Sequence, residues 1–529
     1  MTRRYLEIPE QLNLGAWVVD RHVHEGRGDR VAVRLDDRTY TYDHLRRLSN
    51  RAGHALLALG VRRGDRVLLR LGTNLDCLLA FIATVKIGAV AMPTSPLLRE
   101  TELRAILRNS EATLAVVRPE LAAPLETLRR DGAWNGRLLL STEHDTSMGF
   151  GALIEMAPDD LDPLGTRASE PAFIMYTSGT TGEPKGVVHA HRWIVGTGDP
   201  VARAMLRLSP DDVCFQPQDW SFIYALGCNF LYPFHAGASI VVRSGRFDPL
   251  ETVQVIESHR VTVFCAVPTI YRLMLAQLSD AYRTRLASLR CGVSAGEPLP
   301  VDTFREWRER FGVTIHDGLG QSENHIFLAN TVTAPIKPGS TGRPLPGYEV
   351  AVLDDDGAPR PPGEPGHLVI RNYHPGLALG YHRDPERWAE VNRHGWYDTK
   401  DFAYVDADGD YWYVSRSDDL IKSRAYLISP KEVESAIMEH PAVLEAGVVG
   451  VPDAVIGQKV RAIVTLKAGF SASAALAEEI KAHTRRVLAP YKTPHEVEFV
   501  AELPKTLTGK VLRRQLRRQA GAEHSERTR

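Results

Sequence analysis

"AFIMYTSGTTGEPKG" (residues 172–186) decides how the rest of the chain is read. Ala172 to Tyr176 form a short apolar and aromatic run with the length and composition of a buried strand. The segment after it is mostly glycine and hydroxyl residues, with one lysine. Gly179, Gly182 and Gly186 permit close backbone approach. Thr177, Ser178, Thr180 and Thr181 offer hydroxyls and Lys185 a positive charge, a set that can wrap polyphosphate oxygens. Gly186 and Val187 follow the lysine, so the familiar Gly-Lys-Ser/Thr phosphate loop is excluded.

Outward from this strand and loop, the pattern alternates between helix and strand. "TYDHLRRLSNRAGHALLALG" carries Leu45, Leu48, Ala52, Ala55, Leu56 and Leu59 at helical spacing and stops at Gly60. "DRVLLRL" reads as a strand, "NLDCLLAFIATVKIG" as a helix and "AVAMPTS" as the next strand. "ATLAVV", "SIVVR", "VTVFCAV" and "HLVIR" are further short strands. The expectation is an α/β fold: a large N-terminal domain of parallel-rich sheets packed with helices.

The chain is long enough for two or more domains, at 529 residues. A Pro-, Gly- and Asp-rich stretch, "DDDGAPRPPGEPGHLVIRN", opens a region of strands and turns. Beyond it, "SPKEVESAIMEHPAVLEAGVVGVPD" begins with a capping box: Ser429 at the N-cap, Pro430 at the first turn and Glu432 at N3. The expected boundary separates residues 1–417 from a small α+β domain at 418–529. Net charge is −1, so no global field recruits nucleic acid or an anionic membrane. The five scattered cysteines include no CxxC pair, which fits a reducing cytoplasm without a disulfide framework. The first residues lack the apolar core of a signal peptide. The apolar run around Phe81 is broken by Lys86 and is too short to span a bilayer.

Four further stretches stand in a fixed order after the loop: "SAGEPLP" (294–300), "HDGLGQSENHIF" (316–327), "GWYDTKDFAYVDADGDYWY" running into "SRSDDLIKS", and "LPKTLTGKVLRRQL" (503–516). Together with residues 176–191 they resemble the signatures of the adenylate-forming superfamily over essentially the whole chain. The resemblance implies binding of ATP and Mg2+. ATP would be held by Thr177, Ser178, Gly179, Thr180, Thr181, Gly182 and Lys185, and by Gly296, Glu297, Asp317, Gly318, Leu319, Gln321 and Ser322. Glu323 would hold the metal, as a carboxylate beside phosphates suits magnesium. Asp401 would accept the two ribose hydroxyls, with Arg416 nearby. Asp418 corresponds to the hinge, Lys422 and Ala425 to the loop of the second step, and Lys510 to the catalytic lysine. The arginines that follow, 513, 514, 517 and 518, read as a solvated helix face.

The implied reaction is attack by a substrate oxyanion on the α-phosphorus of ATP, followed by transfer to coenzyme A as co-substrate. Catalysis would rest on Lys510, Lys185 and Glu323 through positioning and charge stabilisation. Several stretches, among them "SPLLRETEL" and "STGRPLPGYEV", are similar to benzoate and 2-aminobenzoate CoA ligases. Trp220, Phe222 and Tyr224 then read as an aromatic slot for the acid. Three stretches depart from the pattern, at four positions: Arg424 and Ala425 replace Ser-Gly, Lys400 replaces a glycine, and Ser322 replaces a threonine. A methyl at 425 would narrow the thiol tunnel. That leaves open a diazotase activating nitrite for attack by an arylamine, or an aryl-adenylate enzyme serving another acceptor. A non-catalytic scaffold is disfavoured because Lys185, Glu323, Asp401, Arg416 and Lys510 all stand. The partners implied are small molecules, in a monomer or homodimer.

Overall fold

The Thr41 side chain accepts a hydrogen bond from the His44 amide and so caps the helix Tyr42–Ala58, whose inner face buries Leu45, Ala52, Ala55 and Leu56. Asn74 caps the next helix, Leu75–Lys86, in the same way, and that helix is buried from Cys77 to its end. Lys86 is fully enclosed, its ammonium 2.7 Å from Asp20 and donating to Ser49 and Asn50. A charge this deep is tolerated because it is both paired and hydrogen-bonded. The computed structural model describes residues 7–141, 149–177, 184–417, 419–423, 426–453, 456–505 and 511–527.

Two units emerge, Met1–Glu349 with Arg371–Tyr397, and Val350–Ile370 with Asp398–Arg529. The first holds two large sheets. One runs Gly380–Tyr381, Lys185–Ala190, Pro171–Thr177, Val90–Pro93, Arg66–Arg70, Leu114–Val117, Arg137–Leu140. It is parallel from Pro171–Thr177 onward, and antiparallel where Lys185–Ala190 and Gly380–Tyr381 join. The other has nine strands, with Val213–Phe215, Val263–Ala266, Cys291–Ala295 and Ile315–Gln321 side by side and parallel. Helices pack these sheets into separate cores, one around Phe264, Tyr271 and Trp307, another around Met92, Leu103 and Leu125. The short strands expected from sequence are present, and the fold is α/β with parallel-centred sheets.

The second unit is built on antiparallel strands. Ser429 accepts from the Glu432 amide and starts the helix Pro430–Met438, which buries Val433 and Ile437. Behind it the long strands Val443–Asp453 and Gly457–Leu466 pair along their whole length. Packing draws the division of the chain differently from a cut after residue 417. The hairpin Val350–Leu353/Gly366–Arg371 and the paired strands Trp396–Val405 and Tyr411–Arg416 lie almost wholly in the second unit. The chain first enters that unit at Val350, one strand before the turn-rich stretch. A hinge at 418 is our proposal, and that residue lies outside those described. Among the described residues, no helix is long and apolar enough to cross a membrane, and all five cysteines are free and buried.

Candidate active site

The strand Pro171–Thr177 pairs with Lys185–Ala190 so that Thr177 faces Lys185 across the ladder. The Thr177 hydroxyl is buried with no hydrogen-bond partner. Ser178, Gly179, Thr180, Thr181 and Gly182 lie outside the described residues. On the far side of Lys185–Ala190 the short strand Gly380–Tyr381 adds Tyr381 opposite Val187. Glu323 comes from the turn between Ile315–Gln321 and His325–Ala329. The three side chains meet: Lys185 Nζ lies 2.5 Å from Glu323 Oε1 and 2.9 Å from the Tyr381 hydroxyl, which donates to the same oxygen at 2.8 Å.

Glu323 is 4% exposed. Burial pushes its pKa up, but the Lys185 charge and the hydrogen bonds from Lys185 and Tyr381 outweigh that and hold it below the ordinary value. The ionised form of this buried carboxylate is therefore favoured beside the lysine. Among the described residues no three His, Cys, Asp or Glu side chains cluster as a metal cage. Glu323 alone fits a magnesium ion that brings phosphate oxygens and water as its other ligands. Gln321 accepts from the Tyr397 hydroxyl at 3.1 Å, which fixes the strand leading to Ser322.

Asp317 sits on that strand, beside Ser294 of the neighbouring parallel strand. Its Oδ1 has no hydrogen-bond partner. Burial raises its pKa to about 8, against the opposing effect of the Ser294 hydroxyl and the Gly318 and Leu299 amides. The carboxyl is thus neutral at pH 7, an acid poised to gain a partner. Glu297 accepts from the Thr269 hydroxyl through one oxygen, while the other is buried and unpartnered. Gly296, Gly318 and Leu319 border these two carboxyls in sequence.

The three aromatic residues of the expected slot separate. Trp220 is 1% exposed and packs against Phe230, ring centroids 5.5 Å apart, so it belongs to the core. Phe222 is half-buried at the start of the short helix Ile223–Leu226. Tyr224 is half-buried, and its hydroxyl donates to the Val293 carbonyl at 3.0 Å. Its neighbour is His325, two residues after Glu323, at 6.5 Å between ring centroids. His325 has φ +57°, and its ring also meets Tyr232 and Trp193. Burial lowers its pKa to about 3, so it is neutral at working pH. A Cβ on Gly227 would lie 2.5 Å from His325 Nε2, so glycine is required where this ring packs.

In the second unit Asp401 and Arg416 are register partners. The Arg416 guanidinium donates to the Thr399 carbonyl at 3.0 Å and to Asp401 at 3.3 Å, and Asp401 is 3% exposed. Lys400 adopts φ +60°, a left-handed conformation that explains why the resembled pattern has glycine there. Its side chain pairs with Asp398 at 2.8 Å. Lys422 is exposed on the strand Ile421–Ser423. Asp418, Arg424, Ala425 and Lys510 lie outside the described residues.

The arginine-rich helix Arg513–Arg527 departs from expectation. Arg514 and Arg518 are exposed, but Arg513 and Arg517 turn inward to Glu434 and Asp419. Tyr381 and His325 were not singled out from sequence. Tyr381 is 196 residues from Lys185 and 58 from Glu323, so no local spacing joins them. The one available signal was the aromatic residue after Gly380.

The AMP-binding enzyme family model matches residues 19–382, and the model of its C-terminal domain matches 432–510. The benzoate–CoA ligase of Thauera aromatica is 37% identical over 518 residues, covering 97% of each chain. The crystal structure of the anthranilate CoA ligase AuaEII with anthranoyl-AMP superposes with a TM-score of 0.91 at 34% identity, over 98% of this chain and 99% of that one. A benzoate CoA ligase from Burkholderia xenovorans LB400 gives 0.87 at 33% identity, over 96% and 99%. With both domains matched in order and relatives aligned end to end, this chain belongs to the AMP-binding enzymes.

Proposed function

We propose that the chain is an AMP-forming aryl-CoA ligase acting on a small aromatic carboxylate, benzoate or 2-aminobenzoate in class. The observation that carries the reading is the Lys185–Glu323–Tyr381 cluster, with His325 two residues beyond the glutamate and the Tyr224 ring beside it. It joins a phosphate-handling charge pair to aromatic side chains within one unit.

In the first step a substrate carboxylate oxygen bonds to the α-phosphorus, the bond to the bridging oxygen breaks, and pyrophosphate leaves with the electron pair. Lys185 holds charge on the departing phosphates, and Glu323 would hold Mg2+, which supplies further neutralisation. Asp401 accepts from the ribose hydroxyls with Arg416 alongside. Lys510 stabilises charge building between the acid and the α-phosphate. In the second step the coenzyme A sulfur bonds to the acyl carbon and AMP departs, the thiol proton passing to solvent.

A paired assay tests this. MgATP, CoA and benzoate, 2-aminobenzoate or cinnamate should give an aryl-CoA thioester. AMP release only with nitrite and an aminoaryl acid, with diazo colour and no thioester, would contradict it. Ala425→Gly is expected to raise CoA-dependent turnover about fivefold, the equivalent of about 1 kcal/mol of relieved crowding, with adenylation unchanged. Steady-state rates at saturating acid check this, and an unchanged rate would remove the crowding argument.

A further inference from the structure

The reverse face of the strand that carries Lys185 borders a cavity of about 170 Å3, lined wholly by residues of the first unit. Side chains alternate along Lys185–Ala190, so Val188 points away from the face that Lys185 occupies. Val188 lines the cavity together with its register partner Ile174 and with Val90 of the strand Val90–Pro93. These three make an apolar floor: Val90 and Ile174 are buried and Val188 is half-buried. A space of roughly 150 Å3 admits a benzene ring, so one ring or a short alkyl chain fits here.

Four ionisable side chains also line the cavity: Arg63, Arg66, Glu170 and His382. Glu170 would repel an anion, but Arg63 neutralises it in a two-pronged contact, Nε 3.0 Å from Oε2 and Nη2 2.6 Å from Oε1. Arg66 is held differently. Its Nε, Nη1 and Nη2 donate to the carbonyls of Ser110, Gly64 and Glu111 at 2.7, 3.1 and 3.0 Å. Carbonyls fix the guanidinium without cancelling its charge, and the Glu111 carboxylate, 3.7 Å away, is shared with Arg383. The His382 backbone is fastened on both sides, its amide donating to the Gly186 carbonyl at 2.7 Å and its carbonyl accepting from Asn109 at 3.3 Å. Its Nε2 is buried with no hydrogen-bond partner. Burial, and then the charges of Arg66 and Arg383, lower its pKa, so the ring is neutral at pH 7. A buried polar atom left unpaired is costly, and an anion that accepts from Nε2–H and from Arg66 would satisfy both.

We propose that this cavity is a second binding site, for a small monocarboxylate with an apolar body of one ring or a short alkyl chain. The carboxylate lies between Arg66 and His382, and the apolar body rests on Val90, Ile174 and Val188. The site is distinct from the Lys185–Glu323–Tyr381 cluster, because the strand Lys185–Ala190 separates the two faces.

Fluorine NMR with 4-fluorobenzoate tests this on the full chain, with the active site filled by a non-reactive benzoyl-AMP analogue. One further equivalent of the acid is expected to bind, with a Kd on the order of 1 mM. Val188→Phe fills the cavity and should abolish that binding. His382→Phe keeps a ring but loses the nitrogen, and should weaken binding about fivefold, the worth of one hydrogen bond. Fluorobenzene, which has no carboxylate, should bind the wild type about tenfold more weakly than the acid, and His382→Phe no differently from the wild type. Circular dichroism should show both variants folded. No second equivalent, equal binding by Val188→Phe, or fluorobenzene binding as tightly as the acid would overturn the proposal. If the analogue itself does not bind, the aryl-CoA ligase reading fails, while the cavity is still judged by the equivalent that Val188→Phe removes.

Discussion

Glu323→Gln is expected to lower the rate of aryl-adenylate formation about a thousandfold, or about 4 kcal/mol of transition-state stabilisation. Glutamine keeps the shape of the side chain and can still accept from Lys185 and Tyr381 through its single oxygen. It cannot supply the charge that the buried carboxylate retains against its own desolvation. With the carboxylate gone, nothing else among the described residues clusters to replace it as a metal donor. The measurement is acid-dependent ATP–pyrophosphate exchange across a range of Mg2+ concentrations. A loss below tenfold at every Mg2+ concentration would mean that Glu323 serves to neutralise Lys185 and does not hold the metal.

Asp317→Asn is expected to stabilise the ligand-free protein, and by an amount that grows with pH. In the unfolded chain an aspartate loses its proton near the ordinary value of about 3.9. In the folded protein Asp317 keeps its proton until about pH 8. Between those values the folded state binds a proton that the unfolded state has lost, so this group's contribution falls as pH rises through the window. It is most favourable below the unfolded value and levels off above pH 8. The full cost is on the order of 5 kcal/mol at the alkaline end, and asparagine, which does not titrate, escapes it. Thermal melting at a series of pH values from 5 to 9 checks this. The variant should gain on the wild type steadily up to about pH 8 and no further. A constant difference across that range would show that Asp317 does not change protonation there.

The elements were legible because their signals are local. The Thr41 cap and the apolar face of Tyr42–Ala58 lie within one stretch of chain, as do the Ser429 capping box and its helix. The residues proposed to handle phosphate could be named from sequence because each motif is contiguous. Their contacts could not. Tyr381 reaches Glu323 only because the strand Gly380–Tyr381 joins the edge of a sheet begun far upstream. His325 could not be placed against Tyr224 and Gly227 from spacing, since its role depends on three segments packing together. The aromatic slot was overread at Trp220 because an apolar ring in a motif region looks the same whether it lines a pocket or fills a core. The arginine run was read as solvated because charge runs usually are. Two of its members turn inward because Glu434 and Asp419, distant in sequence, are enclosed beside the helix within the second unit. Lys400 was legible only as an oddity until its left-handed backbone supplied the reason.

The central claim is that a carboxylate oxygen of the substrate attacks the α-phosphorus of ATP. It is tested most directly by running one turnover with benzoate labelled by oxygen-18 in both carboxyl positions, in the presence of MgATP and CoA, and weighing the products by mass spectrometry. The account predicts one heavy oxygen in AMP, one retained in the thioester and none in pyrophosphate. Unlabelled AMP formed together with the thioester, or label in pyrophosphate, would contradict it.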